Sequence, residues 1–549
     1  MSIAPTGIPV GSRPPTALEV KSETESVPWT RTDWAVALAG VAVALAMAAV
    51  YLSSRASGAN WAMVGVPLDD AWIHLVYARN LAEYGHFWYN PGVAEAGLSS
   101  PFWVVLLAAV YKVFTPRGLS PQWCAKGLAL ACALGVPVLT YLVARAVRLG
   151  RGWAGAAMLL LALDPNLAYG SVAGMEVPLL TLLTLLAPYL VARQRYLGAG
   201  IVLGLAVVTR GEGVLTALLI GAIPVVGEYL KRRTLAVVTR PELKLVVMLF
   251  LPSLLLGGAW ALYNHSINGT FLPNTYYIKH NFALGLFNWT NLLGALGGFV
   301  RHVALFRGPL LLVSSGLIAA FAYSLPRHKE PSLGLGLLLI PLTQFYAFSI
   351  NIKVGALAWP WTYCTRRYLD YLIPLLVILI VAGASYLWAQ LSRLKHRAVL
   401  LVTPLIVLVV VGLSGWSLIG LNRLYAEWYS WDNENIEVVD VAMARWAAEN
   451  LPPGATIAVT DAGAIRFLAR PDQVVLDFVG LNNHDCMGRP CAELMHEFRP
   501  QYALFFRYRD PLWDYFETLH SLSPKRLTIL GGGELVALRI RDYPPWPPE

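Results

Sequence analysis

Trp34-Ala35-Val36-Ala37-Leu38-Ala39-Gly40-Val41-Ala42-Val43-Ala44-Leu45-Ala46-Met47-Ala48-Ala49-Val50-Tyr51 is an unbroken apolar run, and the next helix-forming stretch opens Asp69-Asp70-Ala71-Trp72-Ile73-His74. The run is long enough to cross a bilayer and reads as a retained anchor rather than a short signal h-region. The stretch after it sets two carboxylates side by side near the membrane surface. Adjacent carboxylates repel and resist burial, so they are poor structural material, but they suit accepting a proton or holding a cation.

The rest of the chain extends this pattern. Of 549 residues 56% are hydrophobic and only 14% charged, against about 25% charged in soluble domains. The fold class expected is a polytopic α-helical membrane protein. Further apolar segments fall near 122–144, 153–168, 176–192, 198–209, 213–228, 243–263, 304–323, 332–350, 367–389 and 398–420, eleven with the first. The net charge of +9 is held in short clusters between apolar runs, such as Arg145, Arg148 and Arg151 or Lys231, Arg232 and Arg233. These suit cytoplasmic loop anchors and membrane lipids, and no nucleic acid partner is expected. Residues 1–30, rich in Pro, Ser, Thr and Glu, read as a disordered cytoplasmic tail. Pro101 to Phe114 is only marginally long, with Ser100 placed to cap and Pro101 at the first helical position, so an interfacial or re-entrant helix is expected.

With that count, charge parity places every polar motif outside: the first outer loop 56–100, Gly174-Met175-Glu176, Arg210-Gly211-Glu212-Gly213, His265 to Lys279 and Asn351 to Arg367. In a helix from 69 to 84, Asp70, His74 and Tyr77 share one face. One carboxylate suffices to cap that helix; a second, with a histidine one turn on, predicts a site. Asp70 and His74 with Glu176 are the side chains that would take a divalent cation, but their spacing is not that of a metal centre, and no metal ligand is assigned. Glu176 opens a helix where a carboxylate also favours the dipole, and Arg210 with Glu212 bounds a short turn where a salt bridge is the plain alternative. Lys279, after Tyr276 and Tyr277, is a point charge for phosphate; Arg366 and Arg367, after Trp359 and Trp361, suit a phosphate clamp or an interfacial anchor.

After about Leu421 charge rises and apolar runs shorten. Residues 422–549 are expected to form an extracytoplasmic α/β domain: helix 436–450, strands 456–460 and 474–478, helix 491–498, strand 502–506, helix 512–519 and a hairpin-like pair ending at Ile540. Cys124, Cys132 and Cys364 lie in or beside apolar segments, whereas Cys486 and Cys491 are close enough in sequence to pair in an oxidising compartment.

The order Asp69-Asp70-Ala71, Tyr77-Ala78-Arg79-Asn80-Leu81, Tyr89-Asn90-Pro91-Gly92, Ser100-Pro101, Gly174-Met175-Glu176, Arg210-Gly211-Glu212-Gly213, Leu272-Pro273-Asn274-Thr275-Tyr276 and Arg367-Tyr368 resembles the GT-C superfamily of polyprenyl-phosphate-dependent glycosyltransferases. It is most similar to bacterial terminal arabinofuranosyltransferases of the cell wall. The resemblance implies a GT-C-like catalytic domain over 31–421, in the bacterial inner membrane, with the active site outside. It implies a polyprenyl-phosphate sugar, for arabinofuranosyltransferases an arabinofuranose, as lipid-linked donor and an extracytoplasmic glycan, lipid or protein as acceptor. It further implies transfer with inversion, Asp69 or Asp70 as general base, Lys279, Arg367 and Arg210 on the phosphate, and Tyr276, Tyr277, Trp359 and Trp361 on sugar rings. A transporter or flippase of a lipid-linked glycan is the rival reading from another class.

Overall fold

The computed structural model describes residues 29–55, 58, 65–232, 240–279, 289–328, 331–351, 363–394, 397–507 and 511–544. The tail expected over residues 1–30 therefore lies almost wholly outside the described residues, as do Trp359 and Trp361.

Helices run in the order α1 (Arg31–Leu52), α2 (Asp69–Tyr84), α3 (Pro101–Phe114), α4 (Pro121–Ala146), α5 (Arg151–Ala162), α6 (Pro165–Val172), α7 (Val177–Ala192), α8 (Tyr196–Val207), α9 (Gly213–Arg232), α10 (Arg240–Asn268), α11 (Asn274–Lys279), α12 (Trp289–His302), α13 (Leu310–Ser324), α14 (Pro331–Asn351), α15 (Tyr363–Asp370), α16 (Ile373–Leu391) and α17 (Arg397–Asn435). Every apolar segment expected from the sequence is largely helical, but 153–168, 304–323 and 367–389 are each broken into two shorter pieces. Among the described residues seven helices are long and apolar enough to cross a membrane, and α7, α8 and the first part of α9 are shorter apolar helices. At 14 residues α3 is about 21 Å long, short of a hydrocarbon core of about 30 Å.

Local chemistry sets the ends. Thr30 and Asp33 form a capping box at the start of α1, Thr30 N donating to Asp33 Oδ2 at 2.9 Å and Asp33 N to Thr30 Oγ1 at 3.3 Å. The same Asp33 receives Arg151 Nε at 3.2 Å, which ties α1 to α5. The bundle then packs α4 on α7, α8 on α10, α9 on α14 and α13 on α16.

Beyond α17 the chain passes through a π-helical turn, Ile436–Val441, into α18 (Ala442–Asn450) and a mixed sheet. Its strands are β1 (Thr456–Val459), β2 (Val474–Asp477), β3 (Tyr502–Phe506), β4 (Phe516–Leu522) and β5 (Leu535–Ile540), in the order β2-β1-β3-β5-β4. Strands β2, β1 and β3 are parallel, while β3-β5 and β5-β4 are antiparallel. Helices α19 (Gly463–Leu468) and α20 (Cys491–Phe498) complete the domain.

One expectation is corrected and one open question is answered. The helix expected over 512–519 is instead a short 3-10 turn, Pro511–Tyr515, leading into β4, because Phe516 to Leu522 finds a ladder with β5 that outweighs local preference. Cys486 forms no disulfide and is fully buried in one core with Ala458, Leu476 and Leu494, so the pairing its spacing to Cys491 permits is not made.

The sheet domain is seated on the loop after α1. Strand β2 is an edge strand, and Asn90 covers its outer side as a neighbouring strand would: Asn90 Nδ2 donates to Val475 O at 2.8 Å and Val475 N to Asn90 Oδ1 at 3.2 Å. Around it Tyr89 Oη donates to Ala462 O (2.7 Å), Arg79 Nη1 to Phe467 O (2.6 Å) and Tyr77 Oη to Asn482 Oδ1 (3.1 Å). The approach is close enough to require glycine at Gly97, where a Cβ would fall 2.5 Å from Leu481 O. Asn90→Ala leaves both Val475 groups without partners, a cost of about 1–3 kcal/mol each. The expected outcome is a lower unfolding temperature in detergent and faster amide exchange at Val475 than at β3.

Candidate active site

The two aspartates that open α2 do different things. The N-cap position belongs to Leu68, so neither carboxylate caps its own helix in the usual way. Asp69 instead accepts from the first amides of α19, Gly463 N at 2.7 Å and Ala464 N at 2.8 Å. Its carboxyl is buried, and burial raises it, opposed by those two amides and reinforced by Asp70 and Asp477. The fit again needs glycine, since a Cβ on Gly463 would meet the Asp69 carbonyl at 2.3 Å and Oδ1 at 2.7 Å.

Asp70 lies one residue on, about 100° around the helix, and turns into the bundle. Its carboxylate pairs with the Arg367 guanidinium from α15, and Lys279 Nζ at the end of α11 stands 3.7 Å away. Burial pushes Asp70 up, but Arg367 and then Lys279 outweigh it and hold the carboxyl well below the usual range. The side chain keeps 29% of its surface exposed, while Arg367 keeps 3%. Arg367 Nε and Nη1 are buried and have no hydrogen-bond partner among the described residues. That is an unfilled demand for acceptor oxygens beside the partly exposed Asp70 carboxylate.

One turn along α2, His74 Nδ1 lies 3.7 Å from Glu176 Oε2. Burial lowers His74, against the pull of Glu176 and Asp70. Glu176 pairs with Arg210, and Arg210 also forks onto Glu212 through Nε at 3.2 Å and Nη2 at 2.8 Å. The guanidinium sits 4.7 Å from the Tyr368 ring centre, and Gln344 Nε2 holds Glu212 O at 2.8 Å. Glu176 is thus bound to Arg210 and is not a third ligand beside Asp70 and His74. Among the described residues no three His, Cys, Asp or Glu side chains converge to hold a metal.

Asp70, His74, Glu176, Arg210, Glu212, Lys279 and Arg367 form one cluster built from α2, the N-cap of α7, the turn between α8 and α9, α11 and α15, with Arg210 and Arg367 both lying over the Tyr368 ring. Tyr276 and Tyr277 lie on α11 beside it, their rings perpendicular with centroids 5.7 Å apart. Arg366 is placed differently. On the other side of α15 it bonds Asn166 and is ringed by Tyr425 at 4.0 Å, Tyr169 at 4.6 Å and Tyr363 at 5.2 Å, a buried cage apart from Asp70 and Lys279. Asn274 and His484, to which the sequence assigns no individual role, meet at 3.1 Å, and Glu95 Oε2 accepts His484 N at 3.2 Å. Asn274 stands within a motif already quoted, and Glu95 and His484 lie in polar loops.

The fold, a helical membrane bundle carrying a small C-terminal sheet domain, is shared with solved structures of ArnT and of an archaeal oligosaccharyltransferase. ArnT from Cupriavidus metallidurans, in a structure bound to undecaprenyl phosphate, is 16% identical, with 93% of this chain and 98% of that one covered at a TM-score of 0.57. The oligosaccharyltransferase of Archaeoglobus fulgidus in its apo form is 15% identical over 85% of this chain and 69% of its own, at 0.55. The same enzyme tethered to an acceptor peptide is 14% identical over 86% and 69%, at 0.56. Residues 426–538 match the model of a domain of unknown function, DUF8728. No curated protein sequence matches the chain.

Glu95 supplies a pH prediction. Burial raises its carboxyl to about 7, against the His484 amide and Asn268 and together with Asp485 and Asp477. An acid raised on folding binds its proton more tightly in the folded state, so the stability it contributes is complete below its unfolded value and is lost as pH rises through about 7. Glu95→Gln, fixed in the neutral form, is expected to gain in unfolding temperature relative to wild type between about pH 5 and pH 8. Parallel thermal scans across that range check it.

Proposed function

We propose that this protein is a membrane glycosyltransferase that moves a sugar from a polyprenyl-phosphate donor to an acceptor hydroxyl on the outer face of a bacterial inner membrane. The observation that carries the reading is Arg367, a buried guanidinium with two unpartnered nitrogens, set with Lys279 around Asp70. A phosphate offers the acceptor oxygens this pair of cations lacks. The likeness in fold to a protein that binds undecaprenyl phosphate supports a lipid carrier for it.

In this reading Asp70 is the general base and Asp69 is structural. The donor phosphate competes with Asp70 for Arg367 and Lys279, and as those cations turn to the phosphate the Asp70 carboxylate loses the partners that suppress its basicity. It then takes the proton of the acceptor hydroxyl while that oxygen attacks the anomeric carbon. The bond from that carbon to the phosphate oxygen breaks, and the electron pair leaves with polyprenyl phosphate, whose charge the two cations hold. Attack opposite the leaving group inverts the anomeric centre. Tyr276 and Tyr277 supply faces for sugar rings, and His74, Glu176, Arg210 and Glu212 form the charged group beside Arg367, which shares the Tyr368 ring with Arg210. The donor sugar proposed is arabinofuranose and the acceptor an envelope glycan, on the residue order set out above.

Two substitutions separate the aspartates. Asp70→Asn is expected to bind undecaprenyl phosphate yet lose roughly 10²–10⁴-fold in turnover, read as released polyprenyl phosphate and product mass. Asp69→Asn is expected to lower the unfolding temperature and keep a larger share of turnover. Wild-type turnover in a folded Asp70→Asn enzyme would falsify the assignment of the base.

A further inference from the structure

We propose that His484, contributed by the C-terminal sheet domain, is a positioning residue that sets Lys279 in the phosphate site by holding the start of α11. The proposal rests on the phosphate site described above.

Lysine has a long flexible stem, so its ammonium is only as well placed as the backbone that bears it. The backbone here is α11, a helix of six residues, too short to hold its own shape. Its first residue is therefore decisive. Asn274 is fully buried and is gripped from three sides. Its amide donates to Ala96 O at 2.9 Å, its Oδ1 accepts from Asn268 Nδ2 at 3.1 Å, and the same Oδ1 meets His484 Nδ1 at 3.1 Å. An oxygen that already accepts one bond can only accept another, so His484 carries its proton on Nδ1 and donates. Thr275 adds a bond from Oγ1 to Gly97 O at 3.1 Å.

His484 is the one member of this set that comes from the sheet domain, and it is itself seated by Glu95, two residues before Gly97. Glu95, Ala96 and Gly97 thus grip α11 and the sheet domain together. From Asn274 the helix rises about 7.5 Å to Lys279, whose Nζ faces Asp70. The sheet domain therefore holds both sides of the ion pair, Asp70 through the amides that bind Asp69 and Lys279 through His484. The contacts of His484 are with Asn274 and Glu95, so its effect on bound phosphate passes through α11.

The test is binding of undecaprenyl phosphate to the full-length protein in detergent, with unfolding temperature followed in parallel. His484→Ala is expected to weaken binding about tenfold, the size of one coupled contact. His484→Asn, which keeps an amide donor near the place of Nδ1, should restore most of it. In a Lys279→Ala background the further change to His484→Ala should leave affinity unaltered, since the group it places is gone. Equal weakening by His484→Ala with and without Lys279, or wild-type affinity in His484→Ala, overturns the positioning role while leaving the phosphate site standing. Wild-type affinity in Lys279→Ala overturns the role of Lys279 in the phosphate site, and this proposal with it.

Discussion

Asp69 receiving the first two amides of α19 is the contact on which the site depends. A carboxylate at the start of a helix satisfies donors that have no partner within it, and each charge-assisted bond of this kind contributes about 1.5–3 kcal/mol. The consequence is geometric as well as energetic. Once Asp69 is fixed to the sheet domain, the helical rotation of about 100° per residue fixes the direction in which Asp70 leaves α2. Two carboxylates that would repel if they shared a face are turned apart, one toward backbone amides and one toward side-chain cations.

The same logic of alternating charge runs through the cluster. Lys279, Asp70 and Arg367 form one chain of opposite charges, and Glu176, Arg210 and Glu212 form another, with His74 between them. Buried charges persist only where each has a partner, and removing one partner leaves an uncompensated charge at a cost of about 3–5 kcal/mol. Arg366 and Arg367 show how one turn of helix serves two ends. Arg366 is held over three tyrosine rings and an asparagine, which fixes α15 in the bundle, and this leaves Arg367 to project toward Asp70.

Much of this was legible in the sequence because apolar length and charge clustering are local signals. The helical character of the apolar segments needed only hydropathy, and the short length of Pro101 to Phe114 needed only a count of turns. The clustering of Asp70, Glu176, Arg210, Lys279 and Arg367 followed from counting which loops share a side. What stayed hidden was set by contacts between distant residues. Nothing near Asp69 says that its partner is Gly463, and Asn90 reads as a turn residue although it works as an edge cover for β2. Strand β4 was misread as helix for the same reason, since its ladder partner lies beyond a loop. Arg366 and Arg367 are adjacent and chemically identical, and only the packing of α15 distinguishes the structural one from the one in the cleft.

The motif that reads in sequence as catalytic is therefore, in large part, an adhesive surface. Asp69, Tyr77, Arg79, Tyr89, Asn90 and Glu95 all bond to the C-terminal domain, and Asp70 alone of the acidic pair faces the cations. This arrangement makes physical sense for a site that handles a charged headgroup. Arg367 and Lys279 repel each other, and Asp70 keeps them together while no other anion is present. On the proposed reading, an incoming anion that replaces Asp70 between them keeps the cations paired and frees the carboxylate at the same moment, so that anion binding and availability of the proposed base are one event. The sheet domain is what holds both cation and carboxylate to that geometry, which is why the residues binding it crowd so closely around Asp70.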